Sequence, residues 1–164
     1  MKSFYLMIFS LLGLIAAGCN QADSAAAQKN VQAAPAMTVY KSPACGCCGK
    51  WVDHVKAHGF DVTVVEQSNV MPKKQALGVP PELYSCHTAE VAGYSIEGHV
   101  PASDILRLRK ERPQAKGLAV AGMPIGSPGM EVGDRQDNYT VWLFSEHGQQ
   151  AFNQHGNGNH QHAH

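Results

Sequence analysis

Three cysteines within four residues constrain this chain more than any other feature of its sequence. Cys47 and Cys48 are adjacent and Cys45 lies two positions before Cys47. The three thiols are therefore too close together to crosslink distant loops by disulfides. A disulfide between neighbouring cysteines is strained. With Cys86 they make four cysteines beyond residue 19, and the tight spacing predicts metal or redox chemistry rather than two structural disulfides.

The cysteine motif is flanked by patterns typical of a strand, a helix and a second strand. Residues 37–40 form a short strand-like run, and the apolar residues after the motif recur at a helical period until Gly59. Residues 60–65 alternate and are rich in β-branched side chains, which predicts a strand parallel to the first because a helix crosses between them. Cys45 is therefore expected at or near a helix N-terminus, where partial positive charge favours an ionised sulfur.

The order of the later elements predicts an α/β domain with a thioredoxin-like fold over residues 37–112. The elements that follow are a second helix at 69–77, a hairpin of 88–94 with 95–100, and a helix that begins at Pro101. Thioredoxins carry a cis-proline just before the hairpin, facing their redox cysteines, and in this chain that location falls on residues 85–88. Cys86 is therefore expected to face the other three cysteines.

The C-terminal part of the domain is predicted to add a loop and a strand. Residues 117–130 are dense in glycine and proline, which predicts an ordered or lid-like loop carrying Met123 and Met130. Residues 139–144 alternate, as is typical of a strand, and we expect that strand at a sheet edge. The predicted domain spans residues 37–146, followed by a disordered His-rich tail at 147–164.

The number of sulfurs favours a metal over simple disulfide exchange. Cys45 and Cys48 keep the two-residue gap of a redox pair, so a disulfide between them is possible. An oxidoreductase needs only two sulfurs, whereas Cys47 and Cys86 bring the number to four, which suits a soft metal. Four sulfurs alone fit zinc, an iron–sulfur cluster or copper(I).

Methionine and histidine residues help to choose among these metals. Met123 and Met130 offer thioethers, which bind copper(I) well and zinc poorly, while packing is the alternative role for each. His87, beside Cys86, is a candidate ligand or proton carrier, with a hydrogen-bonded loop residue as the alternative. His99 is interpreted as a turn residue. A solvated helix face is the interpretation for two further histidines, His54 and His58.

The first 36 residues resemble the export segment of a bacterial lipoprotein. Residues 1–18 have a cationic start and an apolar run too short for a stable membrane span, and the residues before Cys19 resemble a lipobox. Cys19 is then the lipidated residue and the one membrane anchor; the alternative is an ordinary signal peptide cut near Ala17. Asn20 after it favours the outer membrane, and residues 19–36 are expected to be a flexible tether.

Four blocks of sequence, in order, closely resemble the CopG-type periplasmic copper-resistance proteins, a metal-binding family of unknown function. The blocks are KSPACGCC at 41–48, SCHT at 85–88, EGHVPA at 97–102 and GMPIGSPGM at 122–130. The resemblance implies a thioredoxin-like fold and copper bound by the cysteines of the first two blocks, possibly as a multinuclear cluster. It also implies a role in copper tolerance through redox change or transfer of copper.

Two classes of function follow. The 13 basic and 13 acidic side chains leave no charge excess to bind nucleic acid, so electrostatics names no partner. The resemblance implies copper ions as the partner. In one class the protein sequesters copper(I) or passes it to a copper efflux system or a periplasmic copper carrier. In the other it is an enzyme that cycles copper between oxidation states or exchanges thiols, with Cys45 and Cys48 as the electron store.

Overall fold

The computed structural model describes residues 34–156, and the predicted signal peptide, the lipid anchor at Cys19, most of the tether and the tail beyond Gly156 lie outside them. In chain order the elements are β1 Ala36–Lys41, α1 Gly46–Ala57, β2 Asp61–Glu66, α2 Met71–Ala76, a 3-10 turn Pro81–Leu83, β3 Thr88–Val91, β4 Tyr94–Glu97, α3 Ala102–Glu111, β5 Gly117–Ala119, β6 Tyr139–Ser145 and β7 Gly148–His155. No helix in this part of the chain combines the length and the apolar character needed to cross a membrane.

The strands form one mixed sheet in the order β2-β1-β3-β4-β5-β6-β7. β1 and β2 are parallel and β3 and β4 are antiparallel, which confirms the predicted strand–helix–strand unit and the hairpin. α1 begins directly after Cys45, which occupies its N-cap, and α3 begins one residue after Pro101. The protein is therefore an α/β domain, as predicted.

The C-terminal half differs from the prediction in three strands. β6 is not at a sheet edge: it pairs with β5 on one side and with β7 on the other. β5 has only three residues, too few to show a period within the glycine-rich segment. β7 occupies most of what we predicted as the start of a disordered tail. Its sequence is polar because its side chains are largely exposed, so it lacks the alternation that marks a strand.

Contacts with α3 hold β7 in place. The buried carboxylate of Asp104 accepts hydrogen bonds from Asn153 Nδ2 at 2.7 Å and lies 2.6 Å from His155 Nε2. Arg107 places its guanidinium 3.9 Å above the Phe152 ring. β7 is thus held by long-range contacts of polar and charged groups. Because most of its side chains are exposed, its sequence lacks the apolar alternation of a half-buried strand.

The core fixes α1 against the sheet and against α3. Trp51 and Val55 are fully buried, and the indole Nε1 of Trp51 donates to the carbonyl of Val100 at 2.9 Å. His54 is not simply solvated, because its Nε2 accepts a hydrogen bond from the backbone N–H of Ala102 at 3.1 Å. That N–H belongs to the first turn of α3, so a side chain of α1 caps the N-terminus of α3.

Candidate metal centre

The four cysteines that we singled out meet at the N-terminus of α1. The Sγ atoms of Cys45, Cys47, Cys48 and Cys86 all lie within 4.8 Å of one another. Three come from the N-cap and first turn of α1, and the fourth comes from the loop that precedes β3. The structure therefore brings together the whole predicted sulfur set, although the role of each sulfur as a ligand stays a prediction.

Cys45 and Cys48 form a disulfide, with their Cα atoms 5.4 Å apart. The Sγ of Cys47 lies 3.6 Å from that of Cys45, and Cys47 and Cys86 are free thiols, each partly buried. The described state is thus a half-oxidised centre. Reduction of one disulfide would give four thiols in a space that one or more soft metal ions can fill.

A buried ion pair holds the loop that carries Cys86. The Oε1 of Glu97, at the end of β4, accepts the backbone N–H of Ser85 at 2.6 Å and pairs with the Nζ of Lys74. Lys74 and Glu97 are both almost fully buried. Burial raises the pKa of the Glu97 carboxyl, while the Lys74 charge and the Ser85 N–H oppose that rise. The charge pair therefore fixes the backbone one residue before Cys86.

Gly98, directly after β4, lets the chain pass close to the loop that carries Cys86. Its φ is +69°, and a Cβ at this position would lie 2.6 Å from the Cβ of Ser85 and 2.6 Å from the carbonyl oxygen of Val120. A side chain cannot fit in that space, and the left-handed backbone conformation itself favours glycine. Gly98 is thus required by the close packing of the Cys86 loop.

His99 is the site residue that sequence reasoning missed. We interpreted it as a turn residue, but its Nε2 lies 3.1 Å from the Sγ of Cys86. Its Nδ1 lies 2.8 Å from the carbonyl oxygen of Pro128, which only accepts, so Nδ1 carries the proton. Nε2 of the neutral ring then carries a lone pair that points toward the Sγ of Cys86. Metal-binding histidines are commonly oriented by such a hydrogen bond from the second ring nitrogen to a carbonyl.

His87 is fully buried beside the same thiol. Its Nδ1 lies 3.3 Å from the Sγ of Cys86, and its ring packs 4.4 Å from that of Trp51 and edge-on at 5.1 Å to that of His99. Its Nε2 has no hydrogen-bond partner within residues 34–156. Burial lowers the pKa of His87 well below its usual value, so the ring is neutral. The three residues Cys86, His87 and His99 form a second group of metal-binding side chains that shares Cys86 with the sulfur group.

The environment of Cys86 disfavours its ionised form in the absence of metal. Burial, and then the neighbouring Cys47, raise the pKa of Cys86 to about 11. Our expectation of an ionised sulfur concerned Cys45, which caps α1, whereas Cys86 comes from the loop before β3 and is partly buried. A metal that binds Cys86 must therefore displace a proton, which makes metal uptake release protons.

The glycine-rich loop at 122–130 packs over the site. Gly129 has φ +87°, and a Cβ there would lie 2.7 Å from the carbonyl oxygen of Cys47 and 2.8 Å from the backbone nitrogen of Trp51. At the other end of the loop, the carbonyl of Gly122 accepts hydrogen bonds from the Ser85 hydroxyl. Both ends of the loop thus touch the segments that carry cysteines.

The two predicted methionine ligands are neighbours of these contacts. Met123 follows Gly122 and is 53% exposed, whereas Met130 follows Gly129 and is partly buried. Their role as copper ligands stays a prediction.

In this α/β domain, four cysteine sulfurs converge at a helix N-terminus. Such an arrangement defines a protein with a cysteine centre, suited to a soft metal and to disulfide exchange. Two solved structures of copper resistance protein CopG, Form 1 and Form 2, superpose on this chain with a TM-score of 0.71. In each case the identity is 46%, over 74% of this chain and 98% of the other. The chain therefore belongs to the CopG family.

A family of proteins of unknown function, DUF411, matches residues 83–130. That segment contains Cys86, His87, His99 and the glycine-rich loop, but not the cysteines of α1. No curated protein gives a significant match. The family match thus covers the part of the site that lies opposite α1.

Proposed function

We propose that this protein binds copper(I) on its cysteine centre and serves in copper resistance outside the cytoplasm. The observation that carries the proposal is the convergence of four cysteine Sγ atoms within 4.8 Å, in a chain that resembles proteins named for copper resistance. Soft thiolate ligands select copper(I), and two imidazoles beside Cys86 extend the donor set. More than one copper ion can share sulfurs that lie this close together.

We further propose that the domain is thioredoxin-like. The support is the sheet order β2-β1-β3-β4, with α1 crossing between two parallel strands and an antiparallel hairpin next to them. In this arrangement Cys45 and Cys48 occupy the position of a redox pair at the first helix, and Cys86 lies across from them. A thioredoxin-like fold would therefore put a disulfide-forming pair inside the proposed copper site.

The Cys45–Cys48 disulfide favours redox interconversion of copper over sequestration alone. Two thiols can give one electron each to two copper(II) ions, which yields one disulfide, two copper(I) ions and two protons. Cys47, Cys86 and His99 remain available to hold copper(I) after that step. A thiol–disulfide oxidoreductase is the second candidate, since the same pair can exchange with another protein's thiols.

The export features complete the proposal. A signal peptide at 1–18 and a lipid anchor at Cys19 would place the domain in the periplasm, at the outer membrane. In that compartment it would receive copper from, or pass copper(I) to, a periplasmic carrier or an efflux system. Met123, Met130 and the tail histidines would assist capture or transfer.

Anaerobic metal analysis of the reduced protein tests this proposal. The protein should take up copper(I) with sulfur-to-copper charge-transfer absorption, and Cys47→Ser should lose most of that signal, because it removes the thiol between the redox pair and Cys86. Met130→Leu should also weaken copper(I) uptake, and Met71→Leu, at an exposed position of α2, is its matched control. Binding of zinc or iron alone, or full copper uptake by Cys47→Ser together with disulfide exchange activity, would contradict the copper centre.

A further inference from the structure

Closure of the Cys45–Cys48 disulfide leaves two thiols that the proposed redox step does not use. They are Cys47, in the first turn of α1, and Cys86, in the loop before β3. Their Sγ atoms lie within 4.8 Å, and both side chains are partly buried. We propose that Cys47 and Cys86 form a second dithiol pair, which gives two further electrons to copper(II). This inference rests on the proposed function, because copper(II) is the oxidant.

The chemistry of neighbouring cysteines selects this pairing. Cys45 and Cys48, with Cα atoms 5.4 Å apart, have the separation of an ordinary disulfide. A bond between Cys47 and the adjacent Cys48 would be strained. Once Cys45 and Cys48 are joined, Cys86 is the one remaining thiol within reach of Cys47 in the described part of the chain.

His99 supplies the base that this second step requires. A thiol must lose its proton before its sulfur can attack or give up an electron. The unprotonated Nε2 of His99 lies 3.1 Å from the Sγ of Cys86, and the Nδ1 of His87 lies 3.3 Å from the same sulfur. The proton of Cys86 therefore has an acceptor already in hydrogen-bond contact.

Each pair follows the same balanced reaction. Two thiols and two copper(II) ions give one disulfide, two copper(I) ions and two protons. Starting from four reduced cysteines, the two pairs together reduce four copper(II) ions. The order matters, because the second disulfide removes the last thiols from the site. Histidine nitrogens hold copper(I) less well than thiolates, so the second step favours release of copper(I).

The first part of the test maps the disulfides without copper. Reduced protein is treated with excess oxidised glutathione, free thiols are alkylated, and the chain is cut with trypsin. Cys45, Cys47 and Cys48 fall in the peptide 42–50 and Cys86 in 75–107, so the second pair joins two peptides. We expect the joined species in the wild type and its loss in Cys47→Ser, with Cys45 and Cys48 still unalkylated. Alkylated Cys47 and Cys86 in the oxidised wild type, or joined peptides in Cys47→Ser, would overturn the pairing.

The second part counts electrons delivered to copper. Reduced protein is mixed anaerobically with excess copper(II), and copper(I) is measured with a chromophoric chelator specific for that ion. With the four cysteines of the site reduced at the start, we expect four copper(I) per chain for the wild type and two for Cys47→Ser and Cys86→Ser. Cys19→Ser is the control for the remaining cysteine and should also give four.

The outcomes separate this inference from the proposed function. Two copper(I) per wild-type chain would overturn the second pair and leave the Cys45–Cys48 reaction intact. No copper(I), in a protein whose disulfides form with oxidised glutathione, would overturn the proposed copper chemistry and this inference with it. Four from the wild type, with two from each single variant, supports both.

Discussion

A single nitrogen–sulfur contact defines the chemistry at the residue scale. His99 donates from Nδ1 to Pro128 and turns Nε2 toward Cys86, so the ring is held in one tautomer and one orientation. Such an imidazole can accept the Cys86 proton or bind a metal that replaces it. Either role links copper uptake to this side chain.

We predict that His99→Ala lowers copper(I) affinity by about ten- to hundredfold, the usual loss when an oriented partner of a metal site is removed. Competition with a copper(I) chelator measures this. His58→Ala is the matched control, because His58 is exposed at the far end of α1. Equal affinity in the wild type and His99→Ala would show that the ring takes no part in binding.

The sequence could not reveal His99 by spacing alone. It stands before Val100 and Pro101, where a polar turn residue is ordinary, and it is 13 positions from the thiol that it contacts. Only the pairing of β3 with β4 brings these positions together. His87 was easier to predict, because it is adjacent to Cys86 in the chain.

At the scale of elements, a buried charge pair ties α2 to the end of β4 and to the Cys86 loop. Lys74 and Glu97 are 1% and 0% exposed, whereas the pair of Lys73 and Glu90 nearby is partly solvated. A buried charge left without its partner is costly, but an exposed pair contributes little. Lys74 is therefore a structural residue of the metal centre.

We predict that Lys74→Met destabilises the protein by about 3–5 kcal/mol, because it leaves the Glu97 carboxylate buried and unpaired. Lys73→Met should cost roughly 1 kcal/mol or less. Free energies of unfolding from denaturant titrations of both variants measure the difference. Similar losses in the two variants would mean that the buried pair does not support the fold in this way.

The contact between α1 and α3 makes stability depend on pH. Burial, and then the nearby His58, lower the pKa of His54, whose neutral ring accepts the Ala102 N–H. A histidine with a lowered folded-state pKa contributes stability above its unfolded pKa, about 6.5. That contribution is lost as the pH falls through 6.5 toward the folded value, since the unfolded chain takes up the proton more readily.

We predict that acidification from about pH 7.5 to about pH 5.5 lowers the Tm of the wild type more than that of His54→Gln. The glutamine can accept the same hydrogen bond through its oxygen but does not titrate. His58→Gln is the control and should keep most of the wild-type slope. A His54→Gln profile that parallels the wild type would show that another group carries the pH dependence.

For the whole molecule, the glycine-rich loop joins the C-terminal half to the cysteines of α1. Gly129 permits backbone contact with Cys47 and Trp51, and its neighbour Pro128 orients His99. The loop thus completes a site whose parts come from both ends of the domain. The affinity for copper should therefore depend on how closely the loop packs against α1 at Gly129.

We predict that Gly129→Ala lowers copper(I) affinity because the added Cβ pushes the loop off α1. Gly133→Ala is a matched control: it also has positive φ, at +54°, but a Cβ there meets nothing within 4 Å. Both variants carry similar backbone strain, of order 1 kcal/mol, so the difference in affinity reports the loop contact. Equal affinities would show that the loop need not touch α1.

Local patterns predicted most of the first half of the fold and little of the second. The strands and helix around Cys45 have clear periods, and the convergence of Cys86 on the motif followed from their order. β5 is too short to carry a period, and β7 is a polar strand held by β6 and by Asp104. Contacts of that kind depend on residues about 50 positions apart, so no local pattern records them.

X-ray absorption at the copper edge of the copper-loaded protein tests the central claim most directly. If the four cysteines hold copper(I), the spectrum should show copper(I) with predominantly sulfur neighbours, and Cys47→Ser should reduce their number. Copper surrounded only by nitrogen and oxygen, with the four cysteines still free to react with an alkylating agent, would contradict the account.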